Sequence, residues 1–171
     1  EGGPGVVQIL NLLKGSDQPT ADRITVLKAQ MLFWLIGATD GHAKNFSIFL
    51  GPGGSFHLTP LYDVLTAQPS FEKKQIDRRQ MRLAMSVGTN RHYRIGEIRG
   101  RHFVQTGKAA SLAESVVLAT IEEMAETAKR ALQKVENTLP PDFPPALHGS
   151  VSKGVLGRLD VLGMGTEAKG G

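Results

Sequence analysis

Cysteine is absent from all 171 residues, which excludes disulfides and thiolate-bound zinc. The five histidines are scattered without a ligand spacing, so His57, His92, His102 and His148 are read as surface or packing residues. Long apolar runs are missing too. Nothing approaches the ~20 residues needed to span a bilayer, and no secretory signal is legible near Glu1, so a cytoplasmic chain with no membrane partner is expected. Aromatics are sparse, with one Trp, two Tyr and seven Phe. That argues against a base-stacking platform for single-stranded nucleic acid. The 40% hydrophobic content is ordinary, and a chain of this length can bury a single core.

What is present is a short polar loop, Asp40-Gly-His-Ala-Lys-Asn45, followed by a glycine-turned hairpin that ends at Tyr62-Asp63-Val64. The spacing of Ile24, Leu27, Met31, Leu32, Leu35 and Ile36 predicts an amphipathic helix over Asp22 to Ile36, ended by Gly37, with Asp40 in the loop beyond. Phe46 to Leu50 reads as a strand, Gly51 to Gly54 as a turn, and Ser55 to Leu58 as the returning strand. A return of similar length carries the chain back beside Asn45, which places Asp63 near both Asn45 and Asp40. Phosphoryl transfer uses this set: one carboxylate to orient a hydroxyl or take its proton, and a carboxylate with an amide oxygen to hold Mg²⁺ on the phosphates. Alone, an Asp and an Asn five apart could equally cap a helix or close a turn. Asp63, between Leu61 and Leu65, reads as a carboxylate costly to bury without a cation or donors. His42 and Lys44 are the nearest donors, or else solvated loop residues.

Three stretches, Leu35 to Ser47, Leu58-Thr-Pro-Leu-Tyr-Asp63-Val and Arg82-Leu-Ala-Met85, closely resemble the C-terminal lobe of the HipA family of bacterial serine/threonine kinases, toxins of toxin–antitoxin pairs. The similarity continues through Arg101-His102-Phe103 and Leu139 to Pro144. The resemblance implies a mainly α fold with a small β-hairpin, a protein-kinase-like helical C-lobe, over residues 1–162. It implies that Asp40 is the catalytic aspartate, that Asn45 and Asp63 bind the metal, and that His42 and Lys44 contact substrate or phosphate. The cofactors implied are ATP and Mg²⁺. The partners implied are a HipB-like antitoxin, to which DNA contact largely falls, and a protein substrate that is a component of translation.

A kinase of this type also needs a glycine-rich phosphate loop, a strand lysine and an adenine-binding hinge. Nothing before Asp40 supplies them, because Pro4 interrupts Gly2, Gly3 and Gly5 and a helix over Val6 to Leu13 follows at once. The expectation is therefore a C-lobe without its N-lobe, inactive alone. Two other readings stay open: a binding module that engages an antitoxin or a complementary lobe, and a metal-dependent phosphohydrolase using Asp40, His42, Asn45 and Asp63.

The rest of the chain reads as one domain without repeats. A short helix is expected near Leu61 to Ala67, a loop over Phe71 to Arg79, an apolar element over Met81 to Val87 and a helix over Ile95 to Lys108. A capping box at Ser111 and Glu114 should open a long helix with core positions from Leu112 to Val135. Pro144 or Pro145 should start a last helix to Leu162, before a flexible tail over 163–171. Charge is uneven. Between Glu72 and Lys108 lie ten Lys or Arg against three acids, a balance of +7, while the remainder carries −3 of the total +4. This segment is either a solvated face or an attractor for an anionic partner.

Overall fold

The computed structural model describes residues 3–163. Six helices and two separate two-stranded antiparallel sheets form it: α1 (Val6–Leu12), α2 (Pro19–Ile36), β1 (Ile48–Leu50), β2 (Phe56–Leu58), α3 (Gln68–Glu72), β3 (Arg82–Val87), β4 (His92–Arg94), α4 (Gly100–Ala109), α5 (Glu114–Thr138) and α6 (Pro145–Leu162). The mainly helical fold with a small hairpin is as expected. The expected tail beyond Gly163 lies outside the described residues.

Helix α2 is the axis on which the rest is assembled. Pro19 opens it with its φ already helical, and α1, α4, α5 and α6 all pack on it. Val26, Leu27, Met31 and Trp34 are fully buried. Trp34 lies edge-on to Phe103 of α4 at 5.6 Å, and its indole N–H donates to the Ile95 carbonyl at 2.9 Å. The ring therefore joins α2 to α4 and to the end of β4. Gly37 ends the helix at φ 71°, a left-handed conformation that suits glycine. The amide of Ala38 then closes back on the Phe33 carbonyl at 2.8 Å.

Five expectations need correction. No helix spans Leu61 to Ala67. Leu61, Val64 and Ala67 pack on the core from an irregular segment, whose polar groups are satisfied by the end of α2: Ala67 N–H donates to the Gly37 carbonyl at 2.9 Å, and Thr66 Oγ1 donates to the Ile36 carbonyl. The helix forms later, as α3, and takes the first part of the expected Phe71–Arg79 loop. Ser111 does not cap α5. It has φ 61°, with Leu112 N–H returning to the Gly107 carbonyl at 2.8 Å, so Ser111 and Leu112 close α4 and Ala113 precedes α5. The expected Ile95–Lys108 helix is split, because Arg99 is extended and α4 starts at Gly100. Val135 is exposed, since the core contacts of α5 reach Leu132 and stop short of its last turn. Met81 to Val87, by contrast, is the expected apolar element: Leu83, Met85 and Val87 alternate inward along β3. His102 fits a packing role. It is buried, its ring stacks on His92 at 3.9 Å, and its Nδ1 accepts the Arg99 N–H at 3.1 Å. Burial first, and the nearby His92 and arginines second, hold its pKa down to about 4.

Candidate active site

The loop after α2 is fixed by two unusual contacts. Gly41 is buried against the Phe33 ring, so closely that a Cβ would lie 2.4 Å from a ring carbon. No larger residue fits without displacing a core aromatic. His42 then begins a single helical turn over Ala43–Asn45, and its backbone N–H donates to Asn45 Oδ1 at 3.0 Å. That donor fixes the orientation of the Asn45 amide. The Asn45 Nδ2 consequently faces outward to Asp63 Oδ2, at 3.0 Å across 18 residues of sequence.

The hairpin delivers Asp63 there. Strands β1 and β2 pair in register Ile48 with Leu58, Phe49 with His57 and Leu50 with Phe56, and Thr59 N–H extends the ladder to the Ser47 carbonyl at 2.9 Å. The chain therefore returns to its starting point beside Asn45. Two contacts that the sequence reading missed lock this return. Asp22 of α2, buried, accepts the Leu58 N–H at 3.0 Å. Tyr62 donates its hydroxyl to the Lys44 carbonyl at 2.9 Å and also touches Ser47 Oγ at 2.7 Å. A carboxylate inside an otherwise apolar helix face and a tyrosine beside Asp63 were the only sequence signals of either.

The structure thus brings Asn45 and Asp63 into direct contact and links them to Asp40 through His42, whose Nε2 lies 3.6 Å from Asp40 Oδ1. Asp40, His42 and Lys44 open onto a cleft of about 690 Å³ that is also lined by Gly3, Gly5 and the β3 residues Arg82 to Met85. One expectation is reversed. Asp63 is exposed and Asn45 is the buried member of the pair, so the carboxylate does not carry the desolvation cost read from its apolar neighbours. Asp63 instead sits at φ 55°, a left-handed conformation more readily adopted by Asp than by most residues.

Hard divalent cations take oxygen donors, and the pair offers them. The Asp63 carboxylate is exposed, and Asn45 Oδ1, on the buried member of the pair, keeps a second lone pair beyond the one that accepts the His42 N–H; this is donor chemistry suited to a Mg²⁺-type ion. Chemically, the arrangement provides an exposed carboxylate with an imidazole beside it, a separate amide–carboxylate pair, and a lysine at the cleft mouth.

Comparison with known proteins places the chain in a family. Residues 1–132 match the HipA-like C-terminal domain. A Sinorhizobium fredii protein named "Putative kinase Y4mE" is 28% identical over 138 residues, covering 79% of this chain and 30% of that protein. HipA from Shewanella oneidensis MR-1, solved as a complex of HipA, HipB and operator DNA, superposes with a TM-score of 0.80 at 19% identity. The alignment covers 95% of this chain and 36% of that one. The chain therefore spans about a third of the length of these relatives, and the solved structure speaks to the fold alone. With three quarters of its length in the family match, the protein belongs to the HipA-like C-terminal domain family.

Proposed function

We propose that this domain is the catalytic half of a protein kinase that transfers the γ-phosphoryl group of ATP to a Ser or Thr hydroxyl. The observation that carries the reading is the Asn45–Asp63 contact, joined through His42 to Asp40 at the edge of a cleft. In a protein kinase a catalytic-loop Asp precedes the metal-binding Asn by five positions, and a second metal-binding Asp follows. Asp40, Asn45 and Asp63 stand in that order on a backbone that brings the last two together.

In this reading Asp40 accepts a hydrogen bond from the substrate hydroxyl and takes its proton as the hydroxyl oxygen bonds to the γ-phosphorus. The bond from that phosphorus to the β,γ-bridging oxygen breaks, and ADP leaves. His42 holds Asp40 in the loop, and Lys44 supplies positive charge at the cleft mouth where γ-phosphate oxygens would lie. Bound at Asn45 and Asp63, Mg²⁺ would neutralise charge on the phosphates. ATP and Mg²⁺ are accordingly the proposed cofactors. The remaining two thirds of a full-length relative is where the adenine-gripping elements would lie. A HipB-like antitoxin is the proposed partner, by analogy with the solved HipA–HipB–DNA complex. A two-metal phosphohydrolase would require additional carboxylates, and the described residues gather no group of three or more His, Asp or Glu able to hold a metal.

Asp63→Ala in the full-length protein is the variant that tests the metal assignment. Removing one of two protein ligands should weaken Mg²⁺-dependent ATP binding about 10-fold or more while leaving Mg²⁺-independent binding near wild type. Calorimetric titration of ATP with and without Mg²⁺ reads both. Equal losses under the two conditions would remove Asp63 from the metal site.

A further inference from the structure

The catalytic cleft is not the only concavity. On the far side of Arg82, two adjoining hollows of about 710 and 460 Å³ share Arg79, Arg94 and Glu97 and run along the β3–β4 hairpin. Arg82 borders both the smaller hollow and the cleft that holds Asp40. Arg82 therefore stands between the catalytic-loop cleft and this groove.

The groove is strongly basic, and its charges are largely uncommitted. Arg78, Arg79 and Arg82 are exposed and have no ion-pair partner among the described residues. Arg94 pairs with Glu97 at 3.0 Å, the one acid on the groove walls. Arg158 adds a further guanidinium from α6, held in place by the Leu35 carbonyl at 2.7 Å and by Gln68 Oε1 at 3.0 Å. This convergence explains the basic stretch of the sequence: the chain folds so that part of it faces one hollow, joined by an arginine that the linear charge count did not include.

Three features select the kind of anion. Arg82 and Arg91 lie 5.0 and 5.9 Å from the Tyr93 ring centre, and Arg91 also donates to the Tyr93 hydroxyl at 2.9 Å. Tyr93 is thus engaged by guanidinium groups and poorly placed to stack a base. The larger hollow has an apolar lining, Phe71, Met81 and Ile95, suited to side chains more than to a sugar–phosphate backbone. Glu97 repels a uniform polyphosphate but can accept a hydrogen bond from a peptide N–H.

We propose that the groove along β3–β4 docks an extended acidic polypeptide segment, with its Asp and Glu carboxylates on the groove arginines and Arg82 at its junction with the catalytic cleft. This rests on the kinase reading and gives it a substrate class: proteins with an anionic stretch near the acceptor hydroxyl. Guanidinium forks bind carboxylate and phosphate alike through paired N–H bonds.

The test uses the full-length protein and fluorescein-labelled peptides followed by anisotropy. The probes are a Ser-containing decamer rich in Glu, its Gln-substituted counterpart, a phosphoserine version of the latter, and a single-stranded oligothymidylate. Arg78→Glu/Arg79→Glu should weaken the anionic peptides about 10-fold or more at low salt, with a smaller loss for the neutral Arg78→Gln/Arg79→Gln pair. Arg130→Glu/Lys134→Glu, on an exposed part of α5 and equal in charge change, should leave binding unchanged. Tighter, Arg78- and Arg79-dependent binding of the Glu-rich peptide is expected, and tighter binding of the phosphoserine peptide would overturn the acidic-peptide assignment. Equal losses in both reversed pairs would reduce the effect to net charge and overturn the groove. So would binding of the Gln peptide as tightly as the Glu peptide, or oligothymidylate binding that alone depends on Arg78 and Arg79. Matching thermal melts for the variants exclude misfolding as the cause. Peptide binding without any phosphoryl transfer by the wild-type protein would strike the kinase reading alone, while transfer with Arg78- and Arg79-independent binding would strike the groove alone.

Discussion

Asp40→Asn in the full-length protein is expected to lower phosphoryl transfer from ATP by about 10²–10⁴-fold, the usual contribution of a positioned general base, while ATP binding changes little. The substitution keeps the shape of the side chain and its place beside His42, 3.6 Å away, but removes the negative charge that orients and deprotonates the hydroxyl. Asp40 is exposed on the loop and its side chain makes no contact with Asn45 or Asp63, so the metal pair and the fold should survive. Single-turnover transfer of labelled phosphate, measured alongside calorimetric ATP affinity, separates chemistry from binding. Transfer within about 3-fold of wild type would assign the base elsewhere, and a parallel collapse of ATP affinity would make Asp40 a binding residue.

The second large effect belongs to the scaffold. Trp34→Ala should destabilise the domain by about 3–5 kcal/mol and lower its melting temperature by about 10 °C. Trp34 is fully buried, contacts Phe103 and donates to the Ile95 carbonyl. Its removal opens a cavity where α2, α4 and the end of β4 meet and leaves that carbonyl without a partner. Because α2 carries Gly37 and leads into the Asp40 loop, activity should be lost at the temperature where this domain melts, not below it. A shift under about 3 °C by scanning calorimetry would mean that the side chain is not a core element.

The site was more legible in the sequence than the frame around it, for a physical reason. Asp40, Asn45 and Asp63 are separated by a helix stop, a six-residue loop and a symmetric hairpin, all local features whose geometry follows from Gly37 and Gly51 to Gly54. Elements held by distant partners were harder to read. The Thr66 hydroxyl and the Ala67 N–H both bond to carbonyls at the end of α2, so no helix forms where apolar spacing suggested one. Ser111 has the right neighbour for a capping box, yet the closure of α4 takes it into a left-handed conformation first. Val135 keeps helical spacing with the core positions of α5, but the helix runs past the core before reaching it. Asp22 and Tyr62 act on backbone groups 36 and 18 residues away, and such contacts leave no periodic trace. The proposed catalytic and metal roles lean on resemblance, since the same residues can serve as ordinary turn and cap groups.

Anomalous diffraction from crystals of the full-length protein grown with Mn²⁺ and a non-hydrolysable ATP analogue tests whether Asn45 and Asp63 form the metal-binding half of a phosphoryl-transfer site. An anomalous peak is expected within coordination distance of both Asn45 Oδ1 and the Asp63 carboxylate, on the side facing the analogue's phosphates, with Asp40 close by but not a ligand. An ion bound away from Asn45 and Asp63, or a nucleotide seated outside the Asp40 cleft, would contradict this assignment.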